Sequence, residues 1–246
     1  MASIILALVA VVLFLVANSL SFFPNDPLLD GILTAVFAVI LPFLLTKLPM
    51  ANLSSTAAKR PQKHHFSLLW LLPLFVGITY SLSLFFGWIG SFFGVILPTY
   101  VGNLPILLFC HALLPAVTEE CCFRHTVPSL LSPLGKKATL FGSAILFAIA
   151  HISPVMMAYA FVAGLCLGLL REYTKSPLMP MLFHFANNAF CLLLMQADIS
   201  PVLVCVLTLA AGILCGLVFY RKEKETALSL LSPLGFGAKE KEQTDD

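Results

Sequence analysis

Runs of about twenty apolar residues recur from one end of this chain to the other, and no other feature constrains its fold as strongly. A bilayer core about 30 Å thick is crossed by roughly 20 helical residues at about 1.5 Å each. In hydrocarbon the backbone N–H and C=O groups must be paired within the protein, which a helix does within its own segment. The expected fold class is therefore all-α, a polytopic transmembrane helical bundle of about eight spans. Composition agrees: 59% of residues are hydrophobic and 11% charged, against about 25% charged in soluble domains. Mean hydropathy is +0.97. A formal charge of +2 gives no basic face for nucleic acid.

The expected spans are Ala2 to Phe23, Leu28 to Leu48, Phe66 to Phe86, Leu104 to about Phe123, Ala138 to Ile152, Val155 to Leu170, Leu178 to Met195 and Ile199 to Tyr220. The first lacks the basic flank of a secretory signal and is expected to be retained. Gly87 to Gly102, apolar and rich in Gly, is expected along the interface. Every Lys and Arg falls in Lys47 to His65, Arg124 to Lys137, Arg171 to Lys175 or the segment from Arg221 onward. With eight crossings those segments share one side, so both termini are expected to be cytoplasmic. Asn52-Leu53-Ser54 is a glycosylation sequon that this topology places in the cytosol. The partition read from the sequence is 1–103 as N-terminal spans, 104–195 as a catalytic core and 196–246 as a last span with a cytosolic tail.

The seven cysteines all lie in apolar stretches and read as small packing residues rather than a disulfide framework. Gly164 with Gly168, and Gly212 with Gly216, offer small-residue faces for close helix packing. Ser129 to Gly135 recurs as Ser229 to Gly235 while the flanks do not repeat, so it marks no internal repeat.

Against this background Glu119 and Glu120 stand out as adjacent carboxylates set within an apolar span. A charge at bilayer depth costs roughly 2.5–3.5 kcal/mol even on the lenient insertion scale, so such groups face a bundle interior and mark function. Glu120 and Arg124 are one helical turn apart and can pair, while Glu119 points about 100° away. A carboxylate in a poorly hydrated site can work as a general base near neutral pH. The bland alternative is that both glutamates end a helix at the interface with Arg124 as partner. Four histidines lie at or within spans. His111 and His125 read as structural, and His151 has no local polar partner. His184 has Asn188 one turn on, so both can aim donors at one atom. Asn187 lies off that face.

Glu119-Glu120-x-x-x-Arg124, Phe147-x-x-x-His151 and His184-x-x-x-Asn188, in this order on successive apolar segments, resemble the CPBP (CAAX protease and bacteriocin-processing) intramembrane protease family, which includes prenyl-protein peptidases and the Abi proteins. The resemblance covers roughly Leu104 to Met195. It implies a peptide-bond hydrolase with its site sunk in a helical bundle. By resemblance Glu119 and His151 activate a water, Glu120 and Arg124 hold the site together, and His184 with Asn188 stabilises the oxyanion. Glu119, His151 and His184 are also a ligand set of the right types for zinc, without the HExxH spacing. Metal-free water activation is preferred. The implied partners are the lipid bilayer and a peptide or protein substrate, prenylated or not. The competing function is a non-catalytic transporter or scaffold that keeps a buried polar cluster.

Overall fold

The computed structural model describes residues 1–19, 26–48, 66–95, 99–100, 102–197 and 199–235. The sequon at Asn52, the basic residues Lys59 to His65, Asp198 and the end of the tail lie outside the described residues. Nine helical elements follow one another and no strand occurs among the described residues. They are α1 (Ala2–Ser19), α2 (Pro27–Leu44), α3 (Leu72–Ser91), α4 (Leu104–Leu134), α5 (Lys136–Ala150), α6 (Pro154–Thr174), α7 (Leu178–Met195), α8 (Pro201–Lys222) and the short α9 (Lys224–Leu231). Seven are long and apolar enough to cross a membrane. The remaining long element, α5, covers about 22 Å at helical rise, less than the hydrocarbon thickness.

Two boundaries differ from the sequence reading. The stretch from Gly87 to Ser91 continues α3 rather than lying along the interface, and the chain turns only at Phe92–Gly94. More consequentially, α4 does not stop near Phe123 but runs on to Leu134, about 46 Å of helix. Its continuation turns on proline placement. Pro115 and Pro128 lack the N–H that closes a helical turn, and their rings press on the carbonyl four residues back. Ahead of each, the helix widens into a π turn, at Phe109–Leu113 and Cys122–Thr126, and then resumes. Such turns are rare and are often found at functional sites.

After α4 the chain reverses at Gly135, whose φ of 86° suits a residue without a Cβ. Helix α5 then runs back along α4, with the Phe123 and Phe147 rings 5.3 Å apart edge to face. Gly135 is equidistant in sequence from Glu119 and His151. Because α5 retraces α4, each lies one helical turn beyond a ring of the Phe123–Phe147 contact. The seven-residue repeat has a structural meaning too. Each copy ends a helix with a short 3-10 turn, Ser132–Leu134 or Ser232–Leu234, and a Gly of positive φ. In each the first Ser's carbonyl accepts the second Ser's hydroxyl, at 2.8 Å. Both turns pack on α5.

One core joins Leu6, Val11 and Phe14 of α1 to Phe123, Val127 and Phe147 of the α4–α5 hairpin. A second joins Phe75 of α3, Leu167 and Leu170 of α6, Phe183 of α7 and Phe219 of α8. The glycine faces make close approaches: a Cβ on Gly212 would lie 2.7 Å from Leu74 Cα, and one on Gly168 would lie 2.6 Å from Leu140 Cδ1. Apolar side chains of α8 such as Val202, Val206, Ile213 and Leu214 stay exposed, as a lipid-facing surface requires. All seven cysteines are free. Asp30 and Glu172 also fall inside helices, in the first turn of α2 and near the end of α6, so Glu119 and Glu120 are distinguished by their mid-helix depth rather than by being alone.

Candidate active site

The two glutamates sit between the π turns of α4. Glu120 is fully buried and Arg124 is 2% exposed. Arg124 Nε lies 3.1 Å from Glu120 Oε2 in an ion pair whose angle is not that of a linear hydrogen bond. The other Glu120 oxygen, Oε1, meets His184 Nδ1 of α7 at 2.9 Å. A buried pair of charges is held only where geometry and further bonds offset desolvation, and here one carboxylate bridges an arginine and a histidine. The Arg124 guanidinium also lies over the Phe147 ring, 4.6 Å from its centroid, a cation–π contact.

Proline placement supplies the rest of the support. The π turn before Pro128 sends the Val127 N–H to Cys122 O, so Phe123 O loses its usual helical donor, and Pro128 leaves Arg124 O without one. Phe123 O instead accepts the Ser143 hydroxyl of α5 and Arg124 Nη1, the latter at 3.3 Å. Arg124 O accepts from Arg171 Nε of α6 at 3.2 Å. Side chains from two neighbouring helices are thereby tied to the turn that carries the ion pair. Sequence reasoning missed Ser143 and Arg171. Their signal was the proline four residues after Arg124, which predicts a carbonyl needing a side-chain donor.

Glu119 points elsewhere. Its Oε2 lies 3.8 Å from His184 Nε2, too far for a hydrogen bond, and this buried oxygen has no hydrogen-bond partner. At this separation no water fits between the two atoms, but one water standing beside them can touch both. His184 therefore lies between the two carboxylates, Nδ1 on Glu120 and Nε2 toward Glu119. The sequence reading had paired it with Asn188 and, as a candidate zinc ligand, with Glu119 and His151, but not with Glu120.

His151 follows the last residue of α5 and ends that helix. Its Nδ1 is 2.9 Å from Phe147 O, and its ring meets Phe147 at 4.8 Å between centroids. Phe147 also meets His184, at 5.8 Å. The two histidines thus share one aromatic neighbour. No hydrogen bond or ion pair joins His151 to Glu119 among the described residues. The residue after His151 is Ile152, a β-branched residue at φ 61°, a genuine backbone outlier of the kind that collects at functional sites.

Asn188 is reached through its neighbour. Asn187, which the helical wheel set aside, has Oδ1 2.6 Å from the Thr79 hydroxyl of α3 and Nδ2 3.4 Å from Asn188 Oδ1. His111 stacks on Tyr100 at 4.1 Å and His125 lies over Phe43 at 6.1 Å, away from the carboxylates. Beside Cys121, on the α2 side of α4, a cavity of about 320 Å³ is lined by Val39, Phe43, His125, Thr126, Arg171 and Pro177. Among the described residues no three His, Cys, Asp or Glu side chains converge closely enough to hold one metal ion. Glu119, His151 and His184 therefore do not fit a zinc ion in this arrangement.

The class that emerges is an integral membrane protein of helical bundle form, with a carboxylate–arginine–histidine cluster buried between its helices. Residues 100–190 match the family model Rce1-like, described as Type II CAAX prenyl endopeptidase Rce1-like. The match supports the CPBP, or CAAX protease, family and takes in every residue from Glu119 to Asn188, with α1 to α3 and α8 outside it. No curated protein and no solved structure matches the chain.

Proposed function

We propose that this protein is an intramembrane endopeptidase in which Glu119 activates a water and the His184–Glu120–Arg124 chain manages the charge that develops. The observation that carries the reading is the 3.8 Å gap between Glu119 Oε2, buried and unpartnered, and His184 Nε2. A water standing beside these two atoms and touching both gives its proton to Glu119 as its oxygen adds to the scissile carbonyl. The tetrahedral intermediate then collapses, the C–N bond breaks, and Glu119 returns the proton to the leaving amine. Atoms and charges balance without another reactant.

The bond to Glu120 fixes which protons His184 carries. A carboxylate only accepts, so His184 Nδ1 is the donor, and Nε2 can donate to an oxyanion only as an imidazolium. That form also makes the cluster neutral, with Glu119 and Glu120 against Arg124 and His184, the state a low-dielectric site favours. Asn188 supplies a second oxyanion donor. His151, with Nδ1 tied to Phe147 O, keeps Nε2 as its one ring nitrogen for the water or the substrate.

The cavity beside Cys121 gives an apolar space lined by Cys121 and His125, the sequence neighbours of Glu120 and Arg124, and suited to a hydrocarbon chain on the substrate. A prenylated CAAX-type peptide is the substrate class that the match to a prenyl endopeptidase family favours. The test compares wild type with Glu119→Gln in membranes, on a farnesylated CAAX peptide and its unmodified counterpart, each with and without a metal chelator. Cleavage by wild type that persists with chelator and vanishes in Glu119→Gln is the expected result. Full activity in Glu119→Gln would overturn the assignment.

A further inference from the structure

Thr79 lies on α3, outside the segment that matches the peptidase family, and is 2% exposed. Its hydroxyl oxygen is 2.6 Å from Asn187 Oδ1, 2.8 Å from Phe75 O and 3.1 Å from Val76 O. A hydroxyl has one proton, so these three acceptors cannot all be served. Which of them takes the proton decides how the next two side chains stand.

If Thr79 donates to Asn187 Oδ1, the Asn187 amide is fixed with Nδ2 toward Asn188, where it donates to Oδ1 across 3.4 Å. Asn188 then keeps its own Nδ2, a donor, free. If the proton goes to a carbonyl of α3 instead, Asn187 turns its amide over to give Nδ2 to Thr79. Its Oδ1 then faces Asn188, draws in the Asn188 amide, and leaves an oxygen free. An oxygen repels an oxyanion, so only the first arrangement stabilises one.

We infer that Thr79 is a positioning residue that sets the polarity of Asn188 through Asn187, so that α3 takes part in building the oxyanion site. The inference rests on the peptidase reading for the role of Asn188, and on geometry alone for the relay. The shortest of the three contacts runs from this buried threonine to the amide of another helix, which favours the first arrangement.

The experiment has two arms. In the kinetic arm, on the farnesylated CAAX peptide, Thr79→Val lowers kcat by about 10²-fold, the loss typical of one oxyanion donor, with KM nearly unchanged. Thr79→Ser restores kcat, and adding Thr79→Val to Asn188→Ala causes no further loss. In the second arm, protein labelled with 15N-asparagine in detergent micelles shows the side-chain amide resonances of both Asn187 and Asn188 shifted by Thr79→Val and unshifted by Thr79→Ser. Should Thr79→Val fail to fold, Asn187→Ala is used and is expected to give the same kcat loss. Unaltered kcat in an active enzyme, or an Asn188 resonance that does not move, overturns the relay. If wild type cleaves nothing while the resonances move as expected, the peptidase reading fails and the relay stands.

Discussion

His184 Nδ1 and Glu120 Oε1 meet at 2.9 Å although the two residues are 64 apart in sequence, and this contact joins α4 to α7 at the buried centre of the bundle. Because Glu120 also faces Arg124, one carboxylate holds two cationic partners, whereas its neighbour Glu119 keeps a buried oxygen unbonded. Adjacent residues of the same type therefore stand in opposite settings, one with both oxygens engaged and one with a buried oxygen left open, which is the division of tasks proposed above.

That division predicts opposite outcomes for the same substitution. Glu120→Gln leaves Arg124 as a buried charge without its partner, a change that costs about 3–5 kcal/mol, and Tm in detergent is expected to fall sharply. Glu119→Gln removes no hydrogen bond and only the 3.8 Å ion pair with His184, so its Tm loss should be much smaller than that of Glu120→Gln, while peptide cleavage is lost by 10²-fold or more, the order of a general-base contribution. A thermal melt of the two variants side by side checks both, and similar Tm losses would refute the division.

Ile152 adopts φ 61° directly after His151. Ile152→Gly relieves a steric cost of about 1–2 kcal/mol for an L-residue in that region, offset by roughly 0.5–1 kcal/mol of added chain freedom. The expected result is a nearly unchanged Tm with a lower kcat, since the residue that holds His151 at the helix end has been loosened. Parallel melting and turnover measurements test it, and an unchanged kcat would show that the strain has no part in catalysis.

Val39 lines the cavity beside Cys121. Val39→Trp fills part of that space without touching Glu119 or His184. KM for the farnesylated peptide should rise several-fold while turnover of the unmodified peptide is unaffected. An equal effect on both would place the hydrocarbon chain elsewhere.

Both termini are expected on the cytosolic side, which requires an even number of crossings. With seven long helices, this needs α5 and the turn after it to complete a crossing together. Reporter fusions at each end, active only in one compartment, decide this directly. Opposite locations would mean an odd number of crossings and would overturn the eight-span topology.

Much of this site could be read from the chain because its parts are local. Glu120 and Arg124 are one turn apart, and helical spacing alone puts them on one face. The apolar runs likewise marked the helices, apart from the end of α4, where Phe123, Arg124 and the prolines looked like a stop. They act instead as a widened turn, because Ser143 and Arg171 supply the hydrogen bonds that Pro128 forfeits. The partners of His184 and Asn187 were hidden for another reason. Spacing within α7 favoured Asn188 for His184, whereas Glu120 and Thr79 come from other helices, and their approach depends on packing between elements rather than on any pattern along one.

The reversal at Gly135 has a further consequence for how this chain can change. Two arms of equal residue count fold back from one glycine, so the hairpin works as a length gauge for where Glu119 and His151 come to lie. One residue inserted in either arm would raise its side chain by about 1.5 Å and swing it through about 100°, enough to take it out of the site. Insertions beyond either residue would leave the gauge intact. Variation in length is therefore tolerable at the outer ends of α4 and α5, while between Glu119 and His151 the chain has no residue to spare.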